Sequence, residues 1–180
     1  MEGLRLAWGP VPPGRLARRG AAWALLQTLL VDAGAPEVVL TNPCPRCGGP
    51  HGPVQVHGAP WRAAVAYAGA TAVVGILPRD AAAAFALDAE PLHDPVREAA
   101  GGAPGGLRRW VRAEASLKAR GSGLRIDPAS VDIVDLDDEH WVATIPGAPF
   151  AVRGRDVDGP PAVLVCAAAA WRAPSDGARW

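Results

Sequence analysis

The chain has 180 residues, and its 18 Lys+Arg balance 18 Asp+Glu to a formal net charge of zero. That length suits one domain or two small halves packed together, and the zero balance lacks the basic excess of a generic nucleic-acid binder, so no nucleic-acid partner is expected. Hydrophobic residues at 49% and charged residues at 20% supply a core and exclude long-range disorder, while 21 Gly and 19 Pro predict short elements joined by tight turns.

In chain order, Leu4 to Trp8 reads as a short strand ended by Gly9-Pro10. Arg15 to Asp32 reads as an amphipathic helix with Leu25, Leu26, Leu29 and Leu30 on one face, stopped near Gly34 and Pro36. Arg18-Arg19 ahead of Ala21 to Val31 has some features of a secretory leader, but Gln27 interrupts the apolar run and the helical spacing favours a core helix. Glu37 to Thr41 is a strand candidate, and Asn42 to Pro53 a loop rich in Cys, Gly and Pro. Val54 to Val56 and Ala63 to Leu77 suggest three strands, broken at Gly58-Ala59-Pro60 and near Gly69. The uncharged stretch from Ala63 to Pro78 is too short for a membrane span, so no membrane partner is expected.

Ala81 to Glu90 reads either way, since its alanines favour helix while Phe85 to Glu90 alternates as a strand does. Gly101 to Gly106 is a linker, and Leu107 to Arg120 a helix closed by Gly121. Leu124 to Ile126, Val131 to Leu136, His140 to Ile145, Phe150 to Arg153 and Ala162 to Ala167 are strand candidates. Both halves thus run helix, glycine stop, several strands. The expectation is an α+β fold of two similar halves, residues 1–86 and 87–180, packed face to face with a site between them.

Four side chains carry the chemistry. Asp88 and Glu90, two apart, face the same side of an extended segment. Glu114 and Lys118, the sole lysine, share a helix face at i and i+4. Three carboxylates and an ammonium suit a hard cation holding a phosphate substrate; the ordinary alternative is a solvated strand end and a surface ion pair. Arg15, Arg18 and Arg19 form a basic patch that gains meaning only beside a phosphate ligand. Cys44, Cys47 and His51 resemble half a zinc site that His57 would complete, but without a second Cys pair the reading is a packed, metal-free turn. Three cysteines in all argue for a reducing compartment.

These residues resemble a family, the larger single-chain class of 4′-phosphopantetheinyl transferases. Cys44 to Gly52 is similar to the loop preceding that family's coenzyme A site. Ala86-Leu87-Asp88-Ala89-Glu90 resembles its Gly-x-Asp-x-Glu metal motif, and Trp110 to Lys118 its Trp-x-x-Lys-Glu-Ala-x-x-Lys helix, continued by Ala119 to Pro128. The resemblance implies a pseudo-twofold pair of α+β halves and transfer of the phosphopantetheine arm of coenzyme A to a serine of an acyl or peptidyl carrier protein, leaving 3′,5′-ADP. It implies Mg²⁺ on Asp88, Glu90 and Glu114, a proton accepted by Glu114, and charge neutralised by Lys118.

The sequence departs from the pattern at Ala66-Tyr67 (a Ser-His pair in the family), at Pro53, which follows Gly52 without a basic residue, and at Ala113 in place of a lysine. Pro91 to Arg109 is also short for the family. Tyr67 with Arg15, Arg18 and Arg19 is therefore expected to meet the coenzyme A phosphates. The leading expectation is a cytoplasmic, monomeric, Mg²⁺-dependent transferase. A homologue that binds a carrier protein or nucleotide without transfer stands second, and a zinc-loop interaction module third.

Overall fold

The computed structural model describes residues 1–122 and 125–170. Strand β1 (Arg5–Pro10) leads into helix α1 (Arg15–Asp32), then β2 (Val39–Thr41), β3 (Gln55–His57), β4 (Trp61–Ala68) and β5 (Thr71–Pro78). After β6 (Ala84–Pro91) come α2 (Pro95–Ala99), α3 (Leu107–Arg120), β7 (Asp132–Asp135), β8 (His140–Thr144), β9 (Val152–Val157) and β10 (Val163–Ala170). The described residues are mixed α+β, with sheets ordered β1-β5-β4 and β6-β10-β9-β8-β7 and a separate β2-β3 ribbon.

Both larger sheets repeat one pairing order. The first strand of each (β1, β6) is antiparallel to the last (β5, β10), which is antiparallel to the one before it (β4, β9). A helix follows each first strand. α1 buries Ala22, Leu26, Leu29 and Leu30, a stripe at helical spacing, against Ala72, Val74 and Ile76 of β5. α3 buries Val111, Ala113, Ala115 and Leu117 against Ala86, Cys166 and Ala168.

The period of two along each strand does the rest. On β4, Ala63, Val65 and Tyr67 face α1, whereas Ala64, Ala66 and Ala68 join Val73, Leu87, Ala89, Val165 and Ala167 in a cluster between the sheets. Small side chains let the sheets approach closely, and at Gly75 a Cβ would stand 2.8 Å from Leu6 and 2.9 Å from Leu87. In the second sheet Gly154 lies opposite Trp141, whose buried ring occupies the space a side chain would take.

The strand reading of Ala81 to Glu90 prevails, because β6 pairs along its whole length with β10. β6 begins at Ala84, so position 86/87 lies inside that strand. α2, which the sequence reading passed over, is opened by Asp94, whose carboxylate accepts from the Val96 and Arg97 amides. Leu124 lies outside the described residues, and Arg125 and Ile126 are not in a strand.

Candidate functional site

Asp88 and Glu90 share parity with Ala84 and Ala86, which contact α3, so β6 presents both carboxylates on its α3 side. Asp88 lies opposite Cys166 in the ladder and is only 4% exposed, which rules out a solvated strand end. α3 brings Glu114 and Lys118 to the same place. The Lys118 ammonium donates to Asp88 Oδ1 and stands 3.9 Å from Glu114 Oε2, so its closer partner is on the strand and not on its own helix. Glu90 receives Arg97 of α2 at 3.3 Å, and Arg97 also donates to the Pro91 carbonyl at 2.7 Å.

All three carboxyls are held above their ordinary range. For Asp88 burial outweighs the opposing pull of Lys118. For Glu90 burial leads and the neighbouring Asp88 charge adds to it, against Arg97 and Lys118. For Glu114 burial again leads, opposed by Lys118 and reinforced by Asp88. The acids therefore feel one another. Asp88 Oδ2 is also buried without a hydrogen-bond partner. A buried carboxylate oxygen with no donor is costly to leave so. An all-carboxylate donor set with one orphaned oxygen fits a hard divalent cation, although the three do not bring their oxygens all within 4.8 Å of one another.

A cleft of about 450 Å³ opens between the two units, lined by Arg19, Trp23, Tyr67, Phe85 and Lys118 and by the loop residues His51 to Val54. Arg19 and Tyr67 thus meet Lys118 across one space. Arg18 is stacked on the Tyr67 ring, 4.5 Å from its centroid, and donates to the Gly69 carbonyl at 3.2 Å, so it braces Tyr67 and does not line the cleft. Arg15 is exposed and away from the cleft lining. Burial, opposed by Arg18 and Arg19, holds the Tyr67 phenol above its usual range. Ala66 belongs to the cluster between the sheets, whereas Tyr67 forms a wall of the cleft.

Cys44, Cys47 and His51 place one ligand atom each within 4.8 Å of one another, the one such group of His, Cys, Asp or Glu among the described residues. Cys44 is half-buried and Cys47 exposed, so neither thiol lies in the core. Backbone amides of Arg46 and Cys47 directed at Cys44 lower its thiol to about 7. His57 donates to or accepts from Thr41 Oγ1 at 2.8 Å and stands apart from this group.

Arg112 is the feature sequence reasoning missed. Set apart from the Ala113 position by its direction around α3, it runs into the interior and forms a bidentate pair with Asp156 at 2.8 Å for both bonds, plus a contact to Asp135. Asp156 also accepts from Trp141 Nε1 at 3.1 Å, Cys166 Sγ at 3.1 Å and Arg108 Nε at 3.0 Å. These partners lie 23 and 44 residues from Arg112, too far for any local pattern to reveal. Ala113 is fully buried in the core cluster under α3.

No protein-family model and no curated protein matches the chain. Among the described residues no helix is long and apolar enough to cross a membrane.

Proposed function

We propose that the chain transfers the 4′-phosphopantetheine arm of coenzyme A to a serine of an acyl or peptidyl carrier protein. The observation that carries this reading is the acidic trio of buried Asp88 and half-buried Glu90 and Glu114, with Lys118 among them also lining a cleft between two units of like pairing order. That repeated order supports the pseudo-twofold arrangement which the resemblance to the transferase family implies. The resemblance itself rests on four motifs in sequence order, including the sole lysine at the last position of the helix motif.

Asp88, Glu90 and Glu114 would hold Mg²⁺, which supplies positive charge against the pyrophosphate. Coenzyme A would lie along the cleft with its phosphates toward Arg19 and Lys118. The serine oxygen forms the new bond to phosphorus as the bond to the 3′,5′-ADP oxygen breaks. Glu114, held above the ordinary carboxylate range, takes the serine proton. Lys118, reaching out from Asp88, offsets the charge that grows on the departing phosphate.

Mass spectrometry of an apo carrier protein, incubated with this protein, coenzyme A and Mg²⁺, tests the reading. A gain of one phosphopantetheine is expected. An unmodified carrier together with calorimetric binding of coenzyme A would replace transfer by the second reading, a binding homologue. That reading draws on the ion pairs Lys118–Asp88 and Arg97–Glu90, which already neutralise two of the three acids.

A further inference from the structure

We propose that Cys44, Cys47 and His51 bind one Zn²⁺ whose fourth position is open to water, and that the ion fixes the loop forming one wall of the cleft. The proposal is independent of phosphopantetheine transfer.

Geometry carries it. The spacing C-x₂-C-x₃-H puts three soft or borderline donors on one short loop, and thiolate with imidazole selects zinc over the hard cations that suit carboxylates. Zn–S near 2.3 Å and Zn–N near 2.0–2.1 Å at a tetrahedral angle require sulfur and nitrogen about 3.6 Å apart. Cys47 Sγ and His51 Nε2 are 3.5 Å apart. The backbone is already wound for this. The Gly48 amide donates to the Cys44 carbonyl and the Cys44 amide to the Gly49 carbonyl, each at 2.8 Å, and the His51 amide donates to Gly49 at 2.9 Å. At Gly52, a Cβ would fall 2.1 Å from the Pro43 carbonyl oxygen, so the loop closes against itself where His51 leaves it.

Two other uses of the thiols fit less well. Both cysteines are free, not joined in a disulfide. Neither is buried, so they add little as core side chains. A closed structural site needs a fourth protein ligand, and among the described residues His57 is engaged elsewhere, with Thr41. Three ligands and an open position remain, the pattern of zinc sites that keep a water or substrate in the fourth place. The loop then reaches the cleft directly. His51, Gly52 and Pro53 line it, and the Pro50 carbonyl accepts from Arg19 and from Asn42 Nδ2 at 3.1 Å.

Zinc titration of the chelator-stripped full chain, read by competition with a chromophoric chelator and by thiolate-to-cobalt absorption on Co²⁺ substitution, tests the site. One ion per chain is expected, with the cobalt charge-transfer band. Cys44→Ser and Cys47→Ser should abolish both signals. Losing only a group that hydrogen-bonds a metal ligand weakens metal binding about 10–100-fold, so loss of a ligand itself in His51→Gln should weaken zinc by at least that much. His57→Gln should leave it unchanged. Should a serine variant misfold by circular dichroism, the parent still decides: Zn²⁺ should slow tryptic cleavage after Arg46, and chelation should restore it. Substoichiometric zinc, no thiolate band, or cleavage after Arg46 at one rate with and without zinc would each overturn the site.

Discussion

Lys118 reaches two carboxylates, and the one it holds decides how its loss will read. A surface pair with Glu114 alone would be worth at most about 0.5 kcal/mol. Its closer partner is Asp88, which is buried and has one oxygen without any donor. Breaking a fully buried pair costs about 3–5 kcal/mol; Lys118 is 41% exposed and screened by water, so about 1–2 kcal/mol is the expected share. Lys118→Ala should therefore lower the midpoint of urea unfolding and reduce transfer by about 10²-fold, the scale of losing one preorganised charge donor. Lys118→Arg should restore the stability but only part of the transfer, because a planar fork replaces a compact ammonium. Equal recovery of both would make Lys118 a structural residue only.

Glu114 has the opposite sign. Its folded pKa is raised, so between the ordinary carboxylate value and the folded one the native chain binds more protons than the unfolded chain. Stability then falls as pH rises through that window, and it stays lower at neutral pH. Glu114→Gln removes this penalty. It should leave thermal stability at neutral pH equal or higher and flatten its fall with rising pH, while transfer drops about 10²-fold. A destabilised but active variant would contradict both halves of the argument.

At the scale of elements, α3 carries two unlike faces. Glu114 and Lys118 look toward β6, whereas Arg112 enters the second sheet and ties α3 to β9 through Asp156. Burial pushes the Asp156 carboxyl up, but hydrogen bonds from Arg112 and Cys166 and the charges of Arg112 and Arg108 outweigh it and hold it below the usual range. Its contribution to stability is thus complete above the unfolded carboxylate value of about 3.9 and lost as pH falls through the lower folded value. Asp156→Asn should cost about 3 kcal/mol at neutral pH by urea unfolding. It should also flatten the acid limb of the stability profile, and an unchanged limb would remove Asp156 from this role. The helices were the most legible part of the fold: α1 and α3 begin and end where apolar periodicity and the glycine stops place them. The acids were legible too, through a period of two on β6 and of four on α3. The pairings were not. Lys118 reaches Asp88 across 30 residues, and Arg97 reaches Glu90 from α2, whose five residues are too few for a periodic signal.

At the scale of the molecule, two units with alanine-lined inner faces leave a cleft where basic groups from the first meet the ammonium of the second. The sequence grouped Arg15, Arg18 and Arg19 as one patch, but helix geometry divides their work. Successive residues turn by about 100°, so the adjacent Arg18 and Arg19 point to different neighbours, while Arg15 sits about one turn earlier at the start of α1. Arg15 stays in solvent, Arg18 is spent on Tyr67 and the Gly69 carbonyl, and Arg19 alone of the three lines the cleft. An exposed arginine away from a bound anion adds little, because salt screens it within a Debye length of about 8–10 Å. An arginine at the wall can meet a phosphate directly with charge-assisted hydrogen bonds. Arg19→Ala should therefore weaken coenzyme A about tenfold by calorimetry, about 1.4 kcal/mol, and reduce the salt dependence of binding. Arg15→Ala should change affinity by less than about twofold. Because Arg19 also donates to Pro50 in the cysteine loop, Arg19→Lys separates charge from tether: it keeps the cation but loses the fork. Recovery of affinity by Arg19→Lys would place the effect on the phosphate, whereas equal losses from Arg15→Ala and Arg19→Ala would show that coenzyme A does not use this wall of the cleft.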